Sequence, residues 1–138
     1  MKALMYDGLE LCKFERDNSG VLRLVLNEGV SRHWLPYIFE IGIACDMDKV
    51  LKTWIRERVF PKNRFGAKEM MKELGIKKYD VSKIAELTRC SLMTDPYWLV
   101  YDESDTYTKN SVRGQAGSEK FPYNSLGIVK EEDYIWRI

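Results

Sequence analysis

The chain has 138 residues, 45% hydrophobic and 31% charged, with a formal net charge of +1. That is enough for one domain and short for two, and the composition is ordinary for a soluble globular protein that buries a core. No stretch approaches about 18 consecutive apolar residues, so no membrane-spanning helix is expected. The opening MKALMYDGLELCKFE lacks the apolar run and small-residue cleavage site of a signal peptide.

The first 26 residues predict an antiparallel meander. Lys2–Tyr6 reads as a short strand, closed by Asp7-Gly8, a dipeptide suited to the positive φ of a tight hairpin. Leu9, Leu11 and Phe14 mark a second strand whose alternation is irregular between Cys12 and Phe14. Asp17-Asn18-Ser19-Gly20 is a turn cluster, and Val21–Leu26 reads as a third strand ended by Asn27-Glu28-Gly29. Three such strands need a covering layer, because a small sheet alone is marginal.

Residues 30–45, VSRHWLPYIFEIGIAC, are apolar but contain Pro36, which drives Leu35 out of the helical region. An extended connection with a short strand at Tyr37–Ile41 is expected. Asp46 then caps a helix whose Met47, Val50, Leu51, Trp54 and Ile55 share a face, with Lys49, Lys52, Arg56 and Glu57 opposite. Pro61 ends it near Val59 or Phe60. A second helix, Ala67–Leu74, buries Ala67, Met70, Met71 and Leu74 and stops at Gly75. Asp80 caps a third, Val81–Arg89, with Val81, Ile84, Ala85 and Leu87 inward.

PYWLVY returns the chain as a strand near 97–101. Residues 102–127, DESDTYTKNSVRGQAGSEKFPYNSLG, are too polar for core and read as a long loop, and Asp133–Ile138 reads as an edge strand. The fold class expected is α+β: a small antiparallel sheet, the N-terminal meander plus the 97–101 strand, packed by about three short helices in a single domain over 1–138.

Cys12, Cys45 and Cys90 are odd in number and widely spaced, which argues against a disulfide framework and for the reducing cytoplasm of a bacterial cell. Each reads as a small buried hydrophobe, and with His33 they make no recognised zinc spacing. His33, the lone histidine, has no neighbouring nucleophile and orienting carboxylate, and reads as a half-buried side chain beside Trp34. Asp102, Glu103 and Asp105 lack the alternating oxygen spacing of a calcium loop and read as a solvated strand end. GxxxxGK[ST] and GxGxxG are both missing, and Gly114 and Gly117 read as turn glycines. No catalytic residue, metal, cofactor or small-molecule ligand is expected.

Charge is segregated along the chain. Residues 1–45 carry five Lys/Arg against six Asp/Glu, residues 46–89 twelve against seven, and residues 90–138 five against eight. Within the basic middle, Arg56, Arg58, Lys62, Arg64 and Lys68 around FPKNRFGAK are the candidate nucleic-acid-binding residues, since several stand at a helix N-terminus where amides also favour phosphate. The plain alternative is a helix-to-helix connector with solvated basic side chains. In the tail, Tyr107, Arg113, Phe121 and Tyr123 are the residue types that anchor protein interfaces, set among adaptable Ser, Asn and Gly.

The order of ALMYDGLELCKF, LPYIF, TWIRERVFPKNR, KELGI and SLMTDPYWLVY resembles the N-terminal region of HipA-like proteins and short mobile-element proteins of Firmicutes, over about residues 3–101. In that family a kinase domain follows the YW strand. Its phosphate-binding loop, catalytic Asp and Asn, and metal-binding Asp do not map onto Asp102–Ile138. The resemblance thus implies a phage or mobile-element accessory gene and argues against catalysis. The function expected is non-enzymatic: direct binding to a protein or nucleoprotein machine of the bacterial host, most concretely inhibition of a CRISPR effector. The alternatives are a DNA- or RNA-binding regulator using the basic helical segment, and a non-catalytic fragment or accessory module of a HipA-like kinase system.

Overall fold

The computed structural model describes residues 3–42 and 46–115. Its four strands, β1 (Ala3–Tyr6), β2 (Leu9–Arg16), β3 (Leu22–Leu26) and β4 (Tyr97–Val100), form one antiparallel sheet in the order β3-β2-β1-β4. Among the described residues five helices accompany it: α1 (Tyr37–Gly42), α2 (Met47–Glu57), α3 (Ala67–Glu73), α4 (Val81–Thr88) and α5 (Tyr107–Asn110). The expected α+β class is the one observed. The edge strand expected at Asp133–Ile138 lies outside the described residues, as do Cys45, Gly117, Phe121 and Tyr123.

Asp7 takes a φ of 49° in the β1–β2 turn, as its dipeptide predicts. The irregular pattern in β2 has a structural cause. Leu4 pairs with Cys12 but Met5 pairs with Glu10, so Leu11 is the extra residue of a β-bulge. Leu11 and Cys12 are consequently both buried, although neighbours in a regular strand face opposite ways. Leu4, Cys12, Phe14 and Leu99 join the helices in the core. Phe14 meets Phe39 of α1 at 5.6 Å between ring centroids, and Phe39 meets Trp54 of α2 at 5.3 Å, which ties sheet to helices in one aromatic column.

The expected strand at Tyr37–Ile41 is a helix. Pro36 does push Leu35 into an extended conformation (ψ 151°), but its own carbonyl accepts the first helical hydrogen bonds, from the Phe39 and Glu40 amides. A fixed φ and a missing N–H cost nothing at a helix start, so Pro36 begins α1 instead of forbidding it. A 3-10 turn at Arg32–Trp34, capped by the Ser31 side chain, leads in.

The middle helices follow their capping signals. Asp46 accepts from the Asp48 and Lys49 amides, and Asp80 from that of Lys83. The chain leaves α4 through two non-glycine residues in the left-handed region, Arg89 (φ 55°) and Cys90 (φ 54°). That strained exit is held by the Arg89 carbonyl, which accepts from the Leu99 amide of β4, and by the Arg89 side chain.

Residues 102–115 are more ordered than a loop. Thr106 caps α5 through the Lys109 amide, and the Asn110 side chain accepts in return from the Thr106 amide. Gly114 is needed for close approach: a Cβ there would stand 2.4 Å from the Tyr107 carbonyl oxygen.

Candidate nucleic-acid interface

Of the basic residues in the middle segment, two arginines are spent inside the protein. Arg58 is 8% exposed. Its guanidinium donates to both oxygens of Asp95 at 2.7 and 2.8 Å, to the Cys90 carbonyl at 2.6 Å and to the Tyr97 carbonyl at 2.8 Å, and lies over the Trp54 ring. A planar fork of five donors fits that role, and four of the five are engaged within the protein. The placing of Arg58 among nucleic-acid-binding residues is thereby corrected. It fastens α2 to β4.

Arg89 does the same at the far end of β4, donating to Asp105 at 2.7 and 3.1 Å. The Asp105 side chain, 2% exposed, also accepts from the Tyr101 and Asp102 amides. Burial raises its pKa, but the Arg89 bond and the two amides outweigh that and leave it below the ordinary aspartate value. Asp105 is therefore a buried anchor, in contrast to the solvated strand end expected.

The remaining basics face out, and the fold gathers five lysines around one concavity. The C-terminus of α3 makes this arrangement. Gly75 (φ 74°) donates to the Lys72 carbonyl and Ile76 to the Met71 carbonyl, the paired bonds of a Schellman motif. That motif folds Ile76 back toward Met71 and turns Lys77 and Lys78 toward the side of α3 bearing Lys68 and Lys72. Tyr79 closes the wall, its hydroxyl donating to the Phe60 carbonyl at 2.7 Å and its ring 6.1 Å from that of Phe60.

The result is a groove of about 580 Å³ with an apolar floor of Ala67, Met71, Ile76 and Tyr79. Lys62, Lys68, Lys72, Lys77 and Lys78 form its rim, all five exposed, and among the described residues none that lines it is acidic. Between Lys62 and Ala67, which both line the groove, the connection from α2 is built from two consecutive turns, Arg64 amide to Pro61 carbonyl and Ala67 amide to Arg64 carbonyl. Gly66, at φ 84° and ψ 4°, has the geometry of the third residue of a type II turn. Phe65 precedes it at the tip and is 99% exposed.

Lys62 and Lys68, expected from the sequence, are thus brought together in the groove. Arg56 and Arg64 are exposed but do not line it. Lys72, Lys77, Lys78 and Phe65 were not singled out from the sequence. The available signals were Lys68 and Lys72 at helical i, i+4 spacing, and a lysine pair just past a C′ glycine.

The tail candidates separate. Tyr107 is half-buried, its ring 6.1 Å from that of Trp98. Its hydroxyl is buried, and burial raises its pKa; Arg113 stands near enough to offset part of that rise without reaching hydrogen-bond geometry. Arg113 itself is exposed. Phe121 and Tyr123 lie outside the described residues.

Burial pushes the Cys12 thiol up to about 12 and that of Cys90 to about 11, as suits packed hydrophobes. His33 is 70% exposed, not half-buried, with Nδ1 2.6 Å from Glu40 Oε1. Among the described residues there is no His/Cys/Asp/Glu group that could hold a metal ion, and no helix long and apolar enough to cross a membrane.

No protein family, no curated protein and no solved structure matches this chain. The likeness of its short motifs to HipA-like N-terminal regions consequently assigns no family.

Proposed function

We propose that this protein works by binding and not by catalysis, and that the lysine-rimmed groove engages the nucleic acid of a bacterial nucleoprotein machine. The carrying observation is the convergence of five lysines on one groove whose described lining holds no acid, in a chain of net charge +1. So concentrated a positive field attracts a polyanion through counterion release. In its most concrete form the protein is a cytoplasmic accessory factor of a phage or mobile element that inhibits a CRISPR effector by occupying its guide or target strand.

Fluorescence anisotropy with a labelled oligonucleotide at increasing salt tests the reading. The expected result is binding that weakens steeply with salt and falls at least tenfold in Lys72→Ala/Lys77→Ala/Lys78→Ala. Salt-independent binding, or a triple variant that binds like the parent, would sink it.

A second surface supports docking on a protein component. Tyr37 and Ile41, one turn apart on α1, are 72% and 58% exposed, Trp34 of the preceding 3-10 turn is 52% exposed, and the Trp34 ring meets Tyr6 at 6.4 Å. A purified effector captured by the parent, but not by Tyr37→Glu, would support that contact. Equal capture by both would count against it.

A further inference from the structure

We infer that the nucleic acid taken by the groove is single-stranded, with one base stacked on Phe65 and the adjoining phosphates held by the lysine rim. This rests on the polyanion reading above and adds the strand state and the residue that senses it.

Three observations carry it. First, Phe65 is 99% exposed on a connection that two hydrogen-bonded turns hold in shape. An aromatic ring presented on a fixed turn loses little conformational freedom when a partner covers it. Second, Phe65 is flanked in the chain by Lys62, Arg64 and Lys68, and two of these, Lys62 and Lys68, line the groove. A ring for the base next to cations for the backbone is the pairing that single strands require, since every base offers a π-face once it is unpaired. In a duplex that face is covered by its neighbours.

Third, the described cations of the rim are all lysine. Carboxylates of an acidic peptide are best held by the two-pronged arginine fork, and this protein turns Arg58 and Arg89 inward to hold Asp95 and Asp105. Lysines act as mobile point charges and tolerate the irregular path of a flexible phosphate backbone. The apolar floor of Met71 and Ile76 gives a neighbouring sugar or base an unhydrated surface.

The test compares three labelled probes of about 15 nucleotides, within the range that such grooves cover: a deoxythymidine single strand, the matching duplex, and an abasic strand with the same phosphates. The full chain and Phe65→Ala are measured against each, with melting curves to verify that both are folded. The parent is expected to bind the single strand about tenfold more tightly than the other two, the size of one stacking contact. Phe65→Ala is expected to abolish that preference without changing abasic binding or the salt slope, and Phe65→Trp to keep it.

Equal binding of all three probes, with Phe65→Ala silent, would overturn the stacking inference and leave the polyanion reading standing. Failure of all three probes alongside binding of polyglutamate would overturn both, and would identify an acidic protein as the occupant.

Discussion

The arginine clamps on β4 and the lysine groove beside α3 draw on the same basic stretch of sequence and put it to opposite uses. Arg58 and Arg89 lie 31 residues apart in the chain, yet both turn inward and hold one strand at its two ends through carboxylates and carbonyls. The five lysines between them in sequence turn outward around an apolar floor. A count of basic residues treats the two sets alike, whereas burial separates them. The inward set contributes to holding the fold together, and only the outward set is left to act on a partner.

The sharpest way to break that division is at Arg58. Arg58→Ala strands Asp95 and two carbonyls at the helix–strand junction, and is expected to cost about 3–5 kcal/mol in urea unfolding, the range for breaking a buried pair. Arg58→Lys is expected to recover little, because one ammonium cannot reach four acceptors. A loss under about 1 kcal/mol would mean that the clamp is not structural.

Asp105→Asn comes next, with about 2 kcal/mol expected at neutral pH from weakened charge-assisted bonds. Its pH dependence has a definite sign. The folded-state pKa of Asp105 lies below the ordinary value of 3.8. Its stabilising effect is therefore complete above about pH 4 and is lost as pH falls through the lower folded value. Unfolding curves of parent and variant should converge below about pH 4 and stay apart above it. A constant gap down to pH 2 would contradict the charge-based account.

Smallest in stability, and most telling for function, is the outward set. Lys72→Ala/Lys77→Ala is expected to change stability by less than about 0.5 kcal/mol, as surface substitutions do. It is expected at the same time to lower the salt slope of oligonucleotide binding by about 0.7 per lysine removed. If the double variant loses stability and keeps its salt slope, the two regions have been assigned the wrong way round.

Several features were legible without coordinates because local chemistry dictates them. Asp46 and Asp80 satisfy helix amides, Gly75 ends α3 with a positive φ, and Asp7-Gly8 makes the first hairpin. Each involves partners within a few residues. The apolar spacing of α2 and α4 selected the faces that pack, and PYWLVY behaves as the strand it resembles.

Where partners lie far apart in the chain, the sequence was silent or misleading. Pro36 excludes the helical state for Leu35 but starts a helix of its own, and that choice depends on Phe39 finding Phe14 and Trp54. Arg58 looked like one more surface cation because its acceptors lie at Cys90, Asp95 and Tyr97. Asp105 looked solvated because Arg89 reaches it from the end of α4. The groove combines three segments, the connection around Lys62, the outer side of α3, and the return through Lys77–Tyr79. Helix caps, turns and amphipathic faces were determined by the sequence alone, since short-range hydrogen bonds and periodicity act within one or two turns. The inward or outward fate of each charge was decided by the tertiary structure, because desolvation depends on what the rest of the chain brings alongside.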